Sequence, residues 1–185
     1  MKKMSTKMIT EAGVLLALAL ILHAIKIYQA PYGGSITAGS MVPILLFAIR
    51  WGMGPGILVG SIFGVLQLLL GPVPFGGLTF GSVILSLFLD YVVAFGFLGV
   101  AGLFRKSMKA IFTGIFLGVL GRLASHYVSG VVIWGSFAPE GMNAWLYSLL
   151  YNGAYLLPEL LISLVLFSLL YWPLKKHLTG QQDSF

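Results

Sequence analysis

Four residues of distinctive type lie at intervals of four positions in the second half of this 185-residue chain. They are Arg122, His126, Gly130 and Trp134. Residues four apart share one face of an α-helix, so they would form a single, slowly drifting stripe. The surrounding run, residues 121–141, begins as an apolar segment and ends in a turn rich in Gly and Pro. We interpret the stripe as one wall of a buried polar pocket with an indole at its mouth.

Two carboxylates, Asp90 and Glu159, also interrupt long apolar runs. Each lies about as far from the basic end of its run as Arg122 does, which at about 1.5 Å per residue places all three near mid-membrane. An ionised group at that depth costs about 2.5–3.5 kcal/mol, so the three must neutralise one another or line a wet cavity. We expect Arg122 to pair with Asp90 or Glu159, which leaves one acid in surplus.

Aromatic and amide side chains adjoin these charges. Tyr91 follows Asp90 directly, and one run contains Tyr147, Tyr151, Asn152 and Tyr155 ahead of Glu159. Aromatic faces attract cations with about 2 kcal/mol or more when desolvated. Asparagine and histidine offer both donors and acceptors to a heterocycle. The combination predicts a site for a small, flat, positively charged solute that enters from outside.

The elements that position these residues are predicted to be membrane helices. Hydrophobic residues make up 58% of the chain and charged residues 9%, the mean hydropathy is +0.98, and several apolar runs approach the length of about 20 residues that a span requires. We predict an all-α integral membrane protein in which residues 1–185 form a single domain of six transmembrane helices. Their expected ranges are about 6–27, 41–51, 56–70, 78–104, 109–134 and 144–171. The chain contains no cysteine, which excludes disulfides.

The net charge of +6 follows from topology in this interpretation. With six spans, one side receives Lys2, Lys3, Lys7, Arg50, Arg105, Lys106, Lys109, Lys175 and Lys176. The positive-inside rule makes that side, with both termini, cytoplasmic. The basic residues therefore indicate orientation in the lipid bilayer, and we predict no nucleic-acid partner.

Two further features have alternative interpretations. Gly13 and Ala17 give the first helix a small-residue face, which serves close packing inside the protein or docking of a partner subunit. Tyr28 and Tyr32 belong to a polar, Gly-rich external loop, where they either cover a pocket or anchor the chain at the membrane interface.

The sequence lacks the common catalytic and nucleotide-binding motifs. It contains no phosphate-binding loop, zinc-protease motif or nucleophile elbow, so we predict no catalytic residue, no metal and no cofactor. A binding subunit powered by partner proteins fits best. The alternative from another class is an intramembrane enzyme that uses Asp90, His126 and Glu159.

The chain resembles the thiamin-specific substrate-binding (S) component of energy-coupling factor (ECF) transporters over nearly its whole length. The resemblance is carried by residues 89–95 (LDYVVAF), 125–132 (SHYVSGVV), 134–141 (WGSFAPEG) and 147–152 (YSLLYN). The segments GGS at 33–35 and RWG at 50–52 add to it. Together these blocks are far more specific than any one of them.

The resemblance implies a multi-pass protein of the bacterial cell membrane that binds thiamin with high affinity near the outer face, with thiamin phosphates as further candidate ligands. Trp134 would stack on the ligand, His126 would contact its ring, and Asp90 would supply the acid. The remaining implied ligand positions are Tyr91, Gly130, Tyr147 and Asn152. An S component for another vitamin is the alternative.

The resemblance also assigns roles outside the ligand site. Gly13 and Ala17 would dock a membrane coupling subunit that carries two ATPases, which hydrolyse ATP and drive reorientation of this subunit. Tyr28 and Tyr32 occupy the lid position, and Arg122 with Glu159 remains as the structural ion pair.

Overall fold

The computed structural model describes residues 5–70 and 75–178. Lys2, Lys3 and residues 71–74 of a predicted external turn lie outside this part. The helices are α1 (Thr6–Ala24), α2 (Met41–Trp51), α3 (Met53–Leu70), α4 (Phe80–Leu103), α5 (Met108–Val132) and α6 (Ala144–Leu178). A hairpin of β1 (Lys26–Gln29) and β2 (Ser35–Thr37) joins α1 to α2, and a short 3-10 turn (Gly135–Phe137) follows α5.

By length and composition, α1, α4, α5 and α6 can each cross a membrane, while α2 and α3 are shorter apolar helices. Large apolar side chains such as Val14, Leu161 and Trp172 face outward with 63%, 63% and 70% exposure, whereas Asn152 and Glu159 are buried. This inversion is expected where lipid, rather than water, surrounds the outer surface. The architecture is that of an all-α membrane protein with one small β-hairpin.

The hairpin corrects the predicted first helix and the purely helical fold. α1 ends at Ala24 rather than residue 27, and Lys26 pairs with Thr37 and Gln29 with Ser35 in an antiparallel ladder. The turn passes through Gly33 at φ 107°, a backbone conformation that favours glycine. The segment that we predicted to be a loop is therefore a two-stranded antiparallel hairpin.

Other boundaries also differ from the prediction. α3 begins at Met53 rather than residue 56, and α6 continues to Leu178 rather than residue 171. Side chains of Thr79 and Ser107 cap α4 and α5 by accepting hydrogen bonds from backbone N–H groups.

The irregular geometry of α4 was not predicted. After an α-helical start (Phe80–Ser86), residues Leu87–Val93 form a π-helix, followed by the short α segment Ala94–Gly96 and the 3-10 segment Phe97–Leu103. Hydroxyl groups from neighbouring helices support the π-helix: Ser125 donates to the Leu89 carbonyl at 2.7 Å and Ser61 to the Val92 carbonyl at 3.0 Å. π-Helical turns are rare and frequently lie at functional sites.

Glycines of α3 allow its backbone to approach that of α4. A Cβ added at Gly60 would meet the Phe95 carbonyl oxygen, and one added at Gly64 would meet the Tyr91 carbonyl oxygen. This is the close contact that small residues permit between membrane helices. It fixes the π-helix against α3.

At the centre of the bundle, α2 contacts α1, α3, α4 and α6. Most of its side chains are buried. At its C-terminal end Arg50 pairs with Glu11 of α1 at 2.7 Å, and Trp51 donates to the same carboxylate at 2.8 Å. Arg105, from the α4–α5 connection, donates to the Arg50 carbonyl at 3.5 Å. These basic residues therefore share the end of the bundle opposite the hairpin, which precedes α2.

Candidate functional site

A cavity lies between the hairpin, α4, α5 and α6. Its total empty space is about 880 Å³ when the open solvent at its mouth is included. Of the residues predicted for the site, the lining includes Tyr32, Asp90, Tyr91, Arg122, His126, Gly130, Trp134, Tyr147, Asn152 and Glu159. The structure therefore brings the predicted ligand-binding residues around one cavity.

The carboxylate of Asp90 accepts four hydrogen bonds. Oδ2 accepts from the hydroxyls of Ser86 at 2.7 Å and Ser129 at 2.6 Å, and from the Trp134 indole N–H at 3.3 Å. Oδ1 lies 3.0 Å from Nδ1 of His126. Hydrogen bonds to an ionised group are stronger than neutral ones, so this network holds the acid in place and fixes the edge of the indole.

His126 connects Asp90 to Arg122. The Arg122 Nε–H donates to Nε2 of His126 at 3.4 Å, which requires that nitrogen to be unprotonated. The proton then resides on Nδ1 and is donated to Asp90. Arg122 also donates to the Met41 sulfur at 2.9 Å and lies over the Phe95 ring at 4.1 Å. Hydrogen bonds on both ring nitrogens of His126 thus link the guanidinium of Arg122 to the carboxylate of Asp90.

The predicted ion pair between Arg122 and Glu159 is wrong as a direct contact. The guanidinium is engaged by His126 and Phe95, whereas Glu159 accepts from the N–H and the hydroxyl of Thr37. Glu11 forms an ion pair with Arg50, whereas Asp90 is joined to the neutral imidazole of His126 by a hydrogen bond. Similar depth along two helices does not determine which way their side chains point.

Aromatic rings surround the mouth. Trp134 packs at a tilt against Phe137 with centroids 5.6 Å apart, and Tyr32 packs against Phe137 at 5.1 Å and Tyr151 at 6.3 Å. The backbone N–H of Tyr32 donates to the Tyr151 hydroxyl at 3.0 Å. The hairpin turn is therefore held at the mouth by contacts to both α6 and the 3-10 turn.

Of the two predicted lid tyrosines, only Tyr32 lines the cavity. Tyr28 lies on β1, half exposed and away from the lining. Strand geometry explains the difference, because β1 runs along the outside of the hairpin and Tyr32 lies in its turn. The structure thus places Tyr32, and not Tyr28, in the cavity lining.

Asn152 and Gly130 also have structural roles. The Asn152 amide donates to the Ser148 carbonyl at 2.9 Å and the His126 carbonyl at 3.3 Å, and accepts from the Tyr155 hydroxyl at 2.7 Å. A Cβ added at Gly130 would lie 2.9 Å from the Ser148 Cβ and 3.1 Å from the Asn152 amide nitrogen. Gly130 therefore permits the close approach of α5 and α6 that places Asn152 at the cavity.

The small-residue face of α1 points away from the bundle. Gly13 and Ala17 are exposed, and a Cβ added at Gly13 would have no neighbour within 4 Å. Ala12 and Ala19, on the other side, are buried against the core. Of the two interpretations of this face, the structure disfavours packing within the protein.

Sequence reasoning missed several lining residues, among them His23, Thr37, Ser40, Gln67 and Ser86. Ser86 had a signal, because it lies four positions before Asp90 and shares a helical face with it. Thr37 had none, since it reaches the cavity only through the unpredicted strand.

Most of the chain matches known proteins. Residues 9–178 match the sequence model of the family described as thiamine transporter protein (Thia_YuaJ). A relative named thiamine transporter ThiT from Bacillus subtilis (strain 168) is 34% identical, with 87% of this chain and 88% of that protein covered. One of the same name from Lacticaseibacillus paracasei is 32% identical, with 88% and 85% covered. A solved structure of ThiT from Listeria monocytogenes is similar with a TM-score of 0.77 and 27% identity, covering 92% of this chain and 96% of that one.

Proposed function

This chain belongs to the thiamine transporter protein family, and on that basis we propose that its cavity binds thiamin from the outer face as the S component of an ECF-type uptake system. The protein is a multi-pass bacterial membrane protein. Thiamin is permanently cationic: a methylene group joins its planar thiazolium ring to a planar aminopyrimidine ring, and it also carries a hydroxyl group. The chemistry of the cavity suits such a molecule.

The observation that carries this proposal is the joining of Asp90, His126 and Trp134 at one cavity wall. The hydrogen bond from the indole to Asp90 places an aromatic ring and a negative charge side by side, which favours a cationic ring. In the proposed complex, Trp134 stacks on the ligand and Asp90 provides the charge. Tyr91, Tyr147 and Asn152 are proposed to hydrogen-bond the ligand, His126 to contact its ring, and Gly130 to leave room for it.

We further propose six membrane-crossing segments, with α2 and α3 completing the four longer helices and both termini cytoplasmic. Arg50 and Arg105 lie at the same end of the bundle, linked by a hydrogen bond, which supports a common basic side. The cavity mouth with Tyr32 lies at the other end. Ligand would therefore bind from the outside.

The exposed face of α1 supports docking of a membrane coupling subunit. Gly13 and Ala17 would let a partner helix approach closely. In this proposal two ATPases on that partner hydrolyse ATP, and this chain contributes binding and reorientation without chemistry of its own.

Calorimetric titration of the detergent-purified protein with thiamin tests the proposal. We expect tight, saturable binding of thiamin, weaker binding of other vitamins, and thiamin as the copurifying ligand in mass spectrometry. Tight binding of a different vitamin instead would identify an S component of other specificity. Turnover of a substrate by the chain alone would support the intramembrane enzyme hypothesis.

A further inference from the structure

Two carboxylates line the cavity, and they differ in how far the protein satisfies them. Asp90 accepts four hydrogen bonds from protein groups, spread over both oxygens. Glu159 accepts on Oε1 alone, from the N–H and the hydroxyl of Thr37, the latter at 2.7 Å. Its other oxygen, Oε2, is buried without a hydrogen-bond partner.

A buried carboxylate oxygen without a partner, such as Oε2 of Glu159, is stabilised when a hydrogen-bond donor contacts it. Glu159 is 1% exposed, and a buried polar atom without a partner bears the full cost of its desolvation. Arg122 does not supply the donor: its Nε and Nη1 donate to His126 and Met41, and no hydrogen bond joins its guanidinium to Glu159 Oε2. Glu159 lies in the cavity lining, so a bound ligand can reach it.

The position of Glu159 is fixed by the hairpin. Ser40 lies 2.9 Å from the Thr37 hydroxyl, and its N–H donates to the same hydroxyl oxygen at 3.1 Å. Ser40, just before α2, holds Thr37 in place, and the N–H and the hydroxyl of Thr37 both donate to Oε1 of Glu159. The carboxylate of Glu159 therefore has little freedom to rotate. The free oxygen is therefore preorganised, which favours binding because little is lost on ordering.

We propose that Oε2 of Glu159 accepts a hydrogen bond from an N–H or O–H donor of the bound ligand, making Glu159 a specificity-determining residue. This inference rests on the proposed function, because it assigns an additional contact within the same site. Thiamin carries two candidate donors, the amino group of its pyrimidine and its hydroxyl group. Because Oε1 of Glu159 holds Thr37, the contact also couples ligand binding to the position of the hairpin.

A cycle of variants and ligand analogues tests the proposal. The ligands are thiamin, an analogue with hydrogen in place of the pyrimidine amino group, and one with hydrogen in place of the hydroxyl group. In Glu159→Gln the amide oxygen can still serve Thr37 while an NH2 group replaces Oε2. We expect about tenfold or greater weakening of thiamin binding, the scale of one hydrogen bond to a charged group, and little change for the analogue that lacks the relevant donor.

Ser163→Ala is the matched control. Ser163 lies one turn further along α6, is fully buried and also has an unpartnered hydroxyl, but it is not in the cavity lining. We expect its thiamin affinity to stay within about twofold, since it makes no ligand contact. If Glu159→Gln does not fold, Glu159→Asp retains the charge, withdraws the oxygen, and should show the same dependence on the analogue.

The outcomes separate the two proposals. If wild-type protein binds thiamin and Glu159→Gln binds it equally well, Oε2 is not an acceptor for the ligand and the inference fails while the proposed function stands. Equal weakening for thiamin and both analogues also overturns it, because a specific donor contact cannot produce that pattern. Absence of thiamin binding by wild-type protein refutes the proposed function itself.

Discussion

Replacement of Asp90 by asparagine probes the centre of the site. In wild-type protein the carboxylate accepts from Ser86, Ser129, Trp134 and His126. An amide retains one accepting oxygen and presents an NH2 group where the other oxygen was. The serine hydroxyls can rotate away, but the indole N–H remains a donor. The oxygen therefore has to stay on the Trp134 side, and the NH2 group has to face His126.

That arrangement conflicts with the imidazole. His126 would accept from the new NH2 group only by moving its proton to Nε2, where the Nε–H of Arg122 already points at 3.4 Å. One donor is then left facing another, which costs about 1–3 kcal/mol for a buried group. We expect a lower melting temperature even without ligand.

The effect on ligand binding comes from charge. A carboxylate about 5 Å from a cationic ring at an effective dielectric constant of about 20 contributes about 3 kcal/mol. Part of this is offset by the cost of desolvating the ligand, so we expect thiamin affinity to fall by about 10–100-fold, or about 1.4–2.8 kcal/mol. Calorimetric titration of folded variant in detergent measures it.

Glu140→Gln is the charge-matched control. Glu140 is exposed in the α5–α6 connection, so its loss should leave thiamin affinity within about twofold, since exposed charges are strongly screened. If folded Asp90→Asn bound thiamin as tightly as wild-type protein, the acid would not contribute to cation binding and this account of the site would be refuted.

Three further predictions concern the stacking residue, the outer face of α1 and the α3–α4 contact. Thiamin should quench the intrinsic tryptophan fluorescence of wild-type protein, and Trp134→Phe should abolish most of that quenching; persistence of the signal would place the ligand away from this indole. Gly13→Trp should retain thiamin binding and lose uptake in cells, because the bulky ring blocks a partner on an otherwise open face, and normal uptake would exclude this face as the docking surface. Gly64→Ala should destabilise the fold by about 1–3 kcal/mol, measured by thermal unfolding, because the new methyl group meets the Tyr91 carbonyl; Gly13→Ala is its control, and equal stability of the two would contradict the packing argument.

Spacing along one helix was the most informative signal for the site. His126 and Gly130 line the cavity from α5, as their spacing predicted, and Trp134 lines it from the turn that follows the end of α5 at Val132 rather than from the helix itself. The apolar runs likewise indicated the helices, because a chain in lipid must satisfy its backbone within each segment. These properties depend on local sequence alone.

Features that depend on tertiary contacts could not be predicted. All four residues of the short strand β1 are exposed, so its sequence has no alternation of buried and exposed positions from which a hairpin could be predicted. The π-helix around Asp90 is held by Ser61 and Ser125 of neighbouring helices. Distance along the helix gave a similar depth for Arg122 and Glu159, but the direction of each side chain depends on how the helices pack.

The hydrogen-bonded contact of Glu11 with Arg50 and Trp51 connects two distant parts of the molecule. It joins α1, whose outer face is open, to one end of α2, and the other end of α2 leads directly to Ser40 and Thr37. α2 is only 11 residues long, and most of its side chains are buried against its neighbours. A continuous set of contacts therefore links the open face of α1 to Ser40 and Thr37, two residues that line the cavity.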